Sequence, residues 1–287
     1  MRTVIAVDVG GTKLAAAIVD EQGAILARSR AATPTTNDPE VLFAALAGVV
    51  DSLPPELRAT ADACGVGSGG PMRSTADRGT LVSPVNIPAW RDFALHDRLR
   101  AHTSLPTRVD NDAKALALGE GWLGAAAGAR DYLAMVVSTG IGGGIVCDGR
   151  LLDGADGNAG HVGHVIVEPD GRLCGCGARG CAEAEASGTA IRAITGRPPA
   201  EAPPEIVERC GRLVGRAVAS VANLLDLPLA VASGSVALGF GAPFFAAAQA
   251  ELDARCRLDF SRGTRIVPGG LGADGPIIGA AAVALRP

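Results

Sequence analysis

What this 287-residue sequence has little of narrows its role before any motif is read. Positive charge is not in surplus: 26 lysines and arginines stand against 30 acidic residues, for a net charge of −4. That balance lacks the basic footprint required by duplex nucleic acid or an anionic membrane, so neither is expected as a partner. No apolar run approaches the roughly 20 residues of a membrane span, and the N-terminal MRTVIAVDVGG has neither the core nor the cleavage site of a signal peptide. A cytoplasmic protein acting on a small molecule is expected. No Walker A sequence occurs, which excludes a P-loop. Histidine is scarce, with four in the chain, and the seven cysteines are an odd number that does not suit a disulfide framework in a reducing compartment. Cys64, Cys147, Cys210 and Cys256 read as buried thiols, which leaves three cysteines clustered.

The length suits two medium-sized lobes. Residues 4–7 read as a strand that ends in a glycine turn at Asp8, followed by strands over 14–19 and 24–30. Asp38 and Pro39 form an N-cap and first-turn proline for a helix over 40–53. A strand over 63–66, a helix over 91–102, and a strand from 107 running into a helix near Asp112 follow. The second half repeats the opening device: a strand over 132–137, a glycine turn over 138–144, and a return strand over 145–147. A duplicated strand, glycine turn and strand points to two related lobes that share a cleft, and the alternation of strands and helices to an α/β protein. A proline-rich connector at 196–205, helices over 206–225 and 243–257, a strand and turn over 229–236 and a closing helix over 276–285 complete the reading.

Chemistry concentrates in a few places. The turn after Asp8 can lay backbone N–H groups against phosphate oxygens, Thr12 adds a hydroxyl donor, and Asp8 is placed to hold Mg²⁺ directly or through water. The second turn, at Thr139 and Gly140, would supply matching donors for a nucleotide triphosphate. Residues 65–70 (GVGSGG) fit a dinucleotide pattern, but Pro71 follows where a helix would have to begin. Asp112, at a helix start, is favoured in its ionised form and suits a general base; it equally suits a helix cap. Asn111 is placed to orient a sugar hydroxyl. Cys174, Cys176 and Cys181 with one upstream histidine, either His161 or His164, make the closed four-ligand shell of a structural zinc.

These residues together resemble the ROK family of sugar kinases, repressors and open reading frames. The resemblance rests on Asp8-Val-Gly-Gly-Thr-Lys13, Asp110-Asn-Asp-Ala113, Ser138-Thr-Gly-Ile-Gly-Gly-Gly144, Gly160-His-Val-Gly-His164 and Cys174-Gly-Cys-Gly-Ala-Arg-Gly-Cys-Ala-Glu183. It implies a two-lobed actin-like ATPase (RNase H-like) fold with a cleft between lobes and a structural zinc loop. The expected lobes are 1–112, completed by the helix 276–287, and 113–275. It further implies zinc on His164, Cys174, Cys176 and Cys181, and Asp112 as base. Implied sugar contacts are Gly70, Asn86, Asn111, His161, His164 and Glu183. Implied phosphate-side and nucleoside-side contacts are Asp8, Gly10, Gly11, Thr12, Lys13, Thr139, Gly140 and Gly234. ATP, Mg²⁺ and zinc are the implied cofactors, and a homodimer or homotetramer the implied assembly.

Departures from the family pattern bear on substrate choice. His161 stands where the family has a glutamate, Lys114 where it usually has asparagine, and residues 271–276 (LGADGP) depart from L-G-D-x-A-G. An imidazole accepts at most one hydrogen bond where a carboxylate accepts several. The implied activity is ATP-dependent phosphorylation of the 6-hydroxyl of glucose or a close analogue. An amino- or N-acetylamino-hexose is the alternative, and an inactive sugar-binding regulator a further one. The family's repressors carry a winged helix-turn-helix before the first glycine turn; only seven residues precede Asp8 here, so DNA binding is not expected.

Overall fold

The computed structural model describes residues 1–74 and 80–286, which divide into two compact units. The first comprises Met1–Trp122, Asp153–Ala159 and Ala273–Pro287, and the second Leu123–Leu152 and Gly160–Gly272. The helix that begins at Asp112 therefore groups with the first unit almost to its end, beyond the expected boundary at 112, because its alanine-rich face (Ala113, Ala115, Ala117) is buried there.

The first unit opens with β1 (Thr3–Val9), β2 (Lys13–Asp20) and β3 (Ile25–Ala32), then α1 (Pro39–Asp51), the single turn α2 (Pro55–Arg58) and β4 (Ala61–Ser68). A small hairpin, β5 (Met72–Ser74) with β6 (Thr80–Val82), precedes α3 (Leu95–Thr103), β7 (Thr107–Asn111) and α4 (Asp112–Leu123). Its five-stranded sheet has the order β3-β2-β1-β4-β7, antiparallel among the first three strands and parallel from β1 through β4 to β7. β1 is buried along its whole length, as expected of a central strand with an unbroken apolar run. β3 at the edge largely alternates between half-buried and exposed positions. The Asp38 side chain caps α1 through the Glu40 N–H at 2.8 Å, with Pro39 in the first turn, as the sequence signals.

The second unit contains β8 (Tyr132–Val137), β9 (Ile141–Cys147), β10 (Arg150–Leu151), α5 (Ala182–Ala186), α6 (Gly188–Thr195), α7 (Pro204–Leu225), β11 (Leu229–Ser233), α8 (Ser235–Phe240), α9 (Ala242–Arg255) and β12 (Arg265–Pro268). Its sheet order, β10-β9-β8-β11-β12, repeats the first: three antiparallel strands, then β8, β11 and β12 parallel. α7 buries a helical stripe that includes Cys210, Leu213, Val214, Ala217 and Val221. The closing helix α10 (Gly275–Leu285) returns to the first unit and packs on β1 and β4. Among the described residues no helix is long and apolar enough to cross a membrane.

Three sequence expectations are corrected. The helix expected over 91–102 begins only at Leu95, because Phe93 exchanges both backbone hydrogen bonds with Val82 at 3.0 Å and Asp92 adopts φ 49°. The glycine turn expected over 138–144 is confined to 138–140: residues 142–144 lie in β9, where ladder pairing to β8 overrides glycine's poor strand preference. Cys147 is half-buried rather than buried, since it falls near the edge of its sheet.

Candidate active site and metal centre

In the first unit the candidate residues gather at the carboxyl ends of three parallel strands. Asp8 on β1 is in register with Gly67 on β4, Gly67 with Asp110 on β7, and Ser68 with Asn111. Open α/β sheets bind ligands at this edge. Asp112 begins α4 directly beyond it. Its Oδ1 accepts the Ala113 N–H at 2.8 Å, and Asn111 Oδ1 accepts the same N–H at 3.0 Å. The Ala113 N–H is thus capped by Asn111, and Asp112 stands in the first turn of the helix; a carboxylate has about four lone-pair sites, so its bond to that N–H is compatible with base catalysis. Burial, reinforced by the charge of Asp112 and opposed by Lys13, pushes the Asp8 carboxyl up to about 6. Such a group accepts a cation readily, because a bound cation cancels the cost of ionising it.

The first glycine turn is closed by the Gly10 N–H donating to Lys13 O at 3.0 Å, and is tied to the strap after β3 by the Thr33 hydroxyl on Gly10 O at 2.7 Å. Gly11 is required by close approach: a Cβ there would lie 2.7 Å from Asn86 Cβ. A pocket of about 370 Å³ is lined by both residues together with Thr33, Asn37 and Pro88. Gly70 joins this neighbourhood through its carbonyl, which accepts the Val85 N–H at 3.3 Å. Thr12 and Lys13 are exposed on the rim of the turn.

In the second unit Thr139 and Gly140 form the tight turn between β8 and β9. Thr139 O accepts both the N–H and the hydroxyl of Thr189, at 3.2 and 2.9 Å, and Ser138 O accepts the Gly188 N–H at 2.7 Å, so the turn rests on the start of α6. Gly234 stands beside it: the hydroxyls of Ser138 and Ser235 are 2.9 Å apart. Gly234 has φ 97°, and a Cβ there would meet Val137 O at 2.5 Å, so a side chain is excluded twice over. Glu183 on α5 accepts the Ile141 N–H through Oε2 at 2.9 Å, which fixes its carboxylate beneath the same turn. His161 precedes the short 3-10 turn Val162–His164, with its ring 6.0 Å from that of His164.

His164, Cys174, Cys176 and Cys181 offer four ligand atoms within 4.8 Å of one another. His161 is not in this cluster. The Cys176 and Cys181 sulfurs are 3.7 Å apart, as are Cys174 Sγ and His164 Nδ1. A tetrahedral shell with Zn–S bonds of about 2.3 Å has edges of roughly 3.6–3.8 Å, so the donor set and its spacing fit zinc. The loop carrying these ligands is braced by groups that sequence reasoning missed. Buried Glu185 accepts the Arg172 N–H at 2.6 Å and pairs with Arg209 at 2.5 Å. Arg216 binds Glu168, Glu251 and the carbonyl of Val167. Nothing in the sequence separates Glu185 from a surface acid, since its partners lie 13 and 24 residues away.

The repeated sheet and its paired glycine turns are those of the two-lobed actin-like ATPase fold. The chain belongs to the ROK family, which it matches over residues 4–286. It is 38 % identical to an N-acetylmannosamine kinase from Citrobacter koseri over 252 residues, covering 83 % of this chain and 84 % of that one. Among solved structures, a ROK hexokinase from Thermus thermophilus superposes with TM-score 0.85 at 33 % identity, covering 98 % of this chain and 97 % of that one. A ROK family glucokinase from Streptomyces griseus, solved in complex with glucose and AMPPNP, gives 0.81 at 29 % identity, covering 99 % and 100 %.

Proposed function

We propose that the chain is an ATP-dependent hexose kinase that phosphorylates the 6-hydroxyl of glucose or a close analogue, with Asp112 as the general base. The observation that carries this reading is the gathering of Asp8, Asn111 and Asp112 at one edge of the first sheet. Asn111 orients the sugar, and Asp112 accepts the proton of the attacking hydroxyl as phosphoryl transfer proceeds. Gly70 and Asn86 complete the sugar side of the first unit, and His161, His164 and Glu183 are the sugar-facing groups of the second. The turns at Gly10, Gly11, Thr12 and Lys13 and at Thr139 and Gly140 donate to phosphate oxygens, while Gly234 leaves room for the nucleoside. Asp8 holds Mg²⁺ directly or through water, and the ion's role when bound is to neutralise charge on the phosphates. His164, Cys174, Cys176 and Cys181 would hold a structural zinc, which would cross-link the loop between His164 and Glu183.

A second substrate reading, an N-acetylamino-hexose, is favoured by His161 standing in place of the family glutamate and by the similarity to an N-acetylmannosamine kinase. ADP production measured against glucose, mannose, N-acetylglucosamine and N-acetylmannosamine tests both. Turnover on one or more hexoses, with the phosphate on O6, is expected. A preference for the acetamido sugars selects the second reading, and no hexose-dependent turnover with any of the four overturns the kinase assignment.

A further inference from the structure

The first unit buries a lysine that the chemistry above does not use. Lys114, in the first turn of α4, is 1 % exposed and among the largest fully buried side chains. Its ammonium carries three hydrogens and has three acceptors: Asp110 Oδ1 at 2.9 Å, Asp153 Oδ1 at 2.8 Å and Gly157 O at 3.2 Å. Removing an ammonium from water is costly, and a buried ion pair is often no more stabilising than apolar groups of the same volume. Fold stability alone is therefore a poor reason for a lysine here.

The acceptors supply a better one. Asp110 Oδ1 also accepts the Asn111 N–H at 2.7 Å, so the carboxylate that Lys114 neutralises fixes the residue just before Asp112. Burial raises the Asp110 carboxyl, and Lys114 is the main group opposing that rise. The other two acceptors lie in Asp153–Ala159, which groups with the first unit although the chain on either side of it belongs to the second. A second anchor holds the same segment: the Asn158 side chain accepts the Met72 N–H at 2.9 Å and donates to Met72 O at 2.8 Å, as a neighbouring strand would. The Ala159 N–H closes the loop on Asp153 O at 2.9 Å. Gly160 and His161 follow directly in the chain.

We propose that Lys114 is a positioning residue for the sugar substrate: a single ammonium fastens the Asp110–Asn111–Asp112 turn to the Asp153–Ala159 loop and holds the groups that flank them in fixed geometry. This rests on the hexose-kinase reading above. A displacement of even about 1 Å at a remote support costs on the order of 100-fold in rate, so the clamp registers in kinetics more than in melting.

The test compares Lys114→Met, Lys114→Arg and Asp153→Ala with the wild type by steady-state kinetics and by amide hydrogen exchange. Lys114→Met is expected to lower kcat/KM for the hexose by on the order of 10- to 100-fold, with a raised hexose KM as part of that loss, to leave the ATP KM in place and to speed exchange across 153–159. Lys114→Arg, which keeps the charge, is expected to recover part of the loss. A purely structural lysine would lower the active fraction, seen as a fall in kcat with both KM values unchanged, and that result rejects the proposal. Should Lys114→Met fail to fold, Asp153→Ala decides, since it removes the acceptor, Asp153 is largely exposed and the Asp110 pair survives: an unchanged hexose KM there rejects it. Should the wild type phosphorylate no hexose, the kinase reading fails instead. Exchange at 153–159 still judges the clamp, and equal exchange in Lys114→Met and wild type rejects it.

Discussion

Asp8 and Asp112 are coupled carboxylates: with burial as the larger cause, the charge of Asp112 helps push Asp8 up to about 6. A carboxyl raised above its unfolded value of 3.8 binds more protons in the folded state than in the unfolded one between those two pH values. Its ionisation therefore costs stability as pH rises from about 4 to 6, and the cost is complete above 6. Asp8→Asn should match the ligand-free wild type below pH 4 and exceed its stability by up to about 3 kcal/mol at pH 7. Denaturant melts at a series of pH values check this, and parallel curves for the two proteins would remove the buried charge from the picture.

The metal centre makes a separate demand. Cys176 and Cys181 sulfurs at 3.7 Å predict one equivalent of zinc per chain by elemental analysis, lost in Cys181→Ser. Because metal binding contributes to folding free energy, the variant should melt at lower temperature, and the wild type should do the same after chelation. A fully active wild-type protein free of zinc would contradict the assignment.

Gly234→Ala introduces a Cβ where φ is 97° and Val137 O would lie 2.5 Å away. A destabilisation of about 1–3 kcal/mol is expected from the backbone strain alone, together with a raised KM for ATP and little change in that for the sugar. An unaffected ATP KM would detach Gly234 from the nucleotide.

Glu185→Ala leaves the Arg172 N–H without its acceptor and Arg209 without its carboxylate. Thermal or chemical unfolding should register a loss of roughly 3 kcal/mol, and amide exchange should quicken through the cysteine loop. A loss below about 0.5 kcal/mol, the level of an ordinary surface change, would show that the loop does not depend on this brace.

Features encoded locally were legible in the sequence. The Asp38–Pro39 helix start needs only its own neighbours, and so does the turn after Asp8, whose closing bond spans three residues. The cysteine trio of the candidate zinc cluster was legible because its spacing is informative; spacing left the histidine open between His161 and His164, and the family resemblance implied His164. What failed depended on distant partners. Phe93 looked helical until Val82 claimed its backbone, and residues 142–144 looked like a turn until β8 paired with them. Lys114 was visible as an oddity, but its role was not, because Asp153 and Gly157 lie 39 and 43 residues away. The tie between Glu183 and the Ile141 N–H spans 42 residues and leaves no trace in either segment.

The most direct test is Asp112→Asn, which keeps the side chain's shape and its bond to the Ala113 N–H but removes the basic oxygen. Turnover should fall by a factor on the order of 100 to 10,000, while calorimetry shows the hexose still bound with near wild-type affinity. Turnover at the wild-type rate would contradict the placement of the base at this residue.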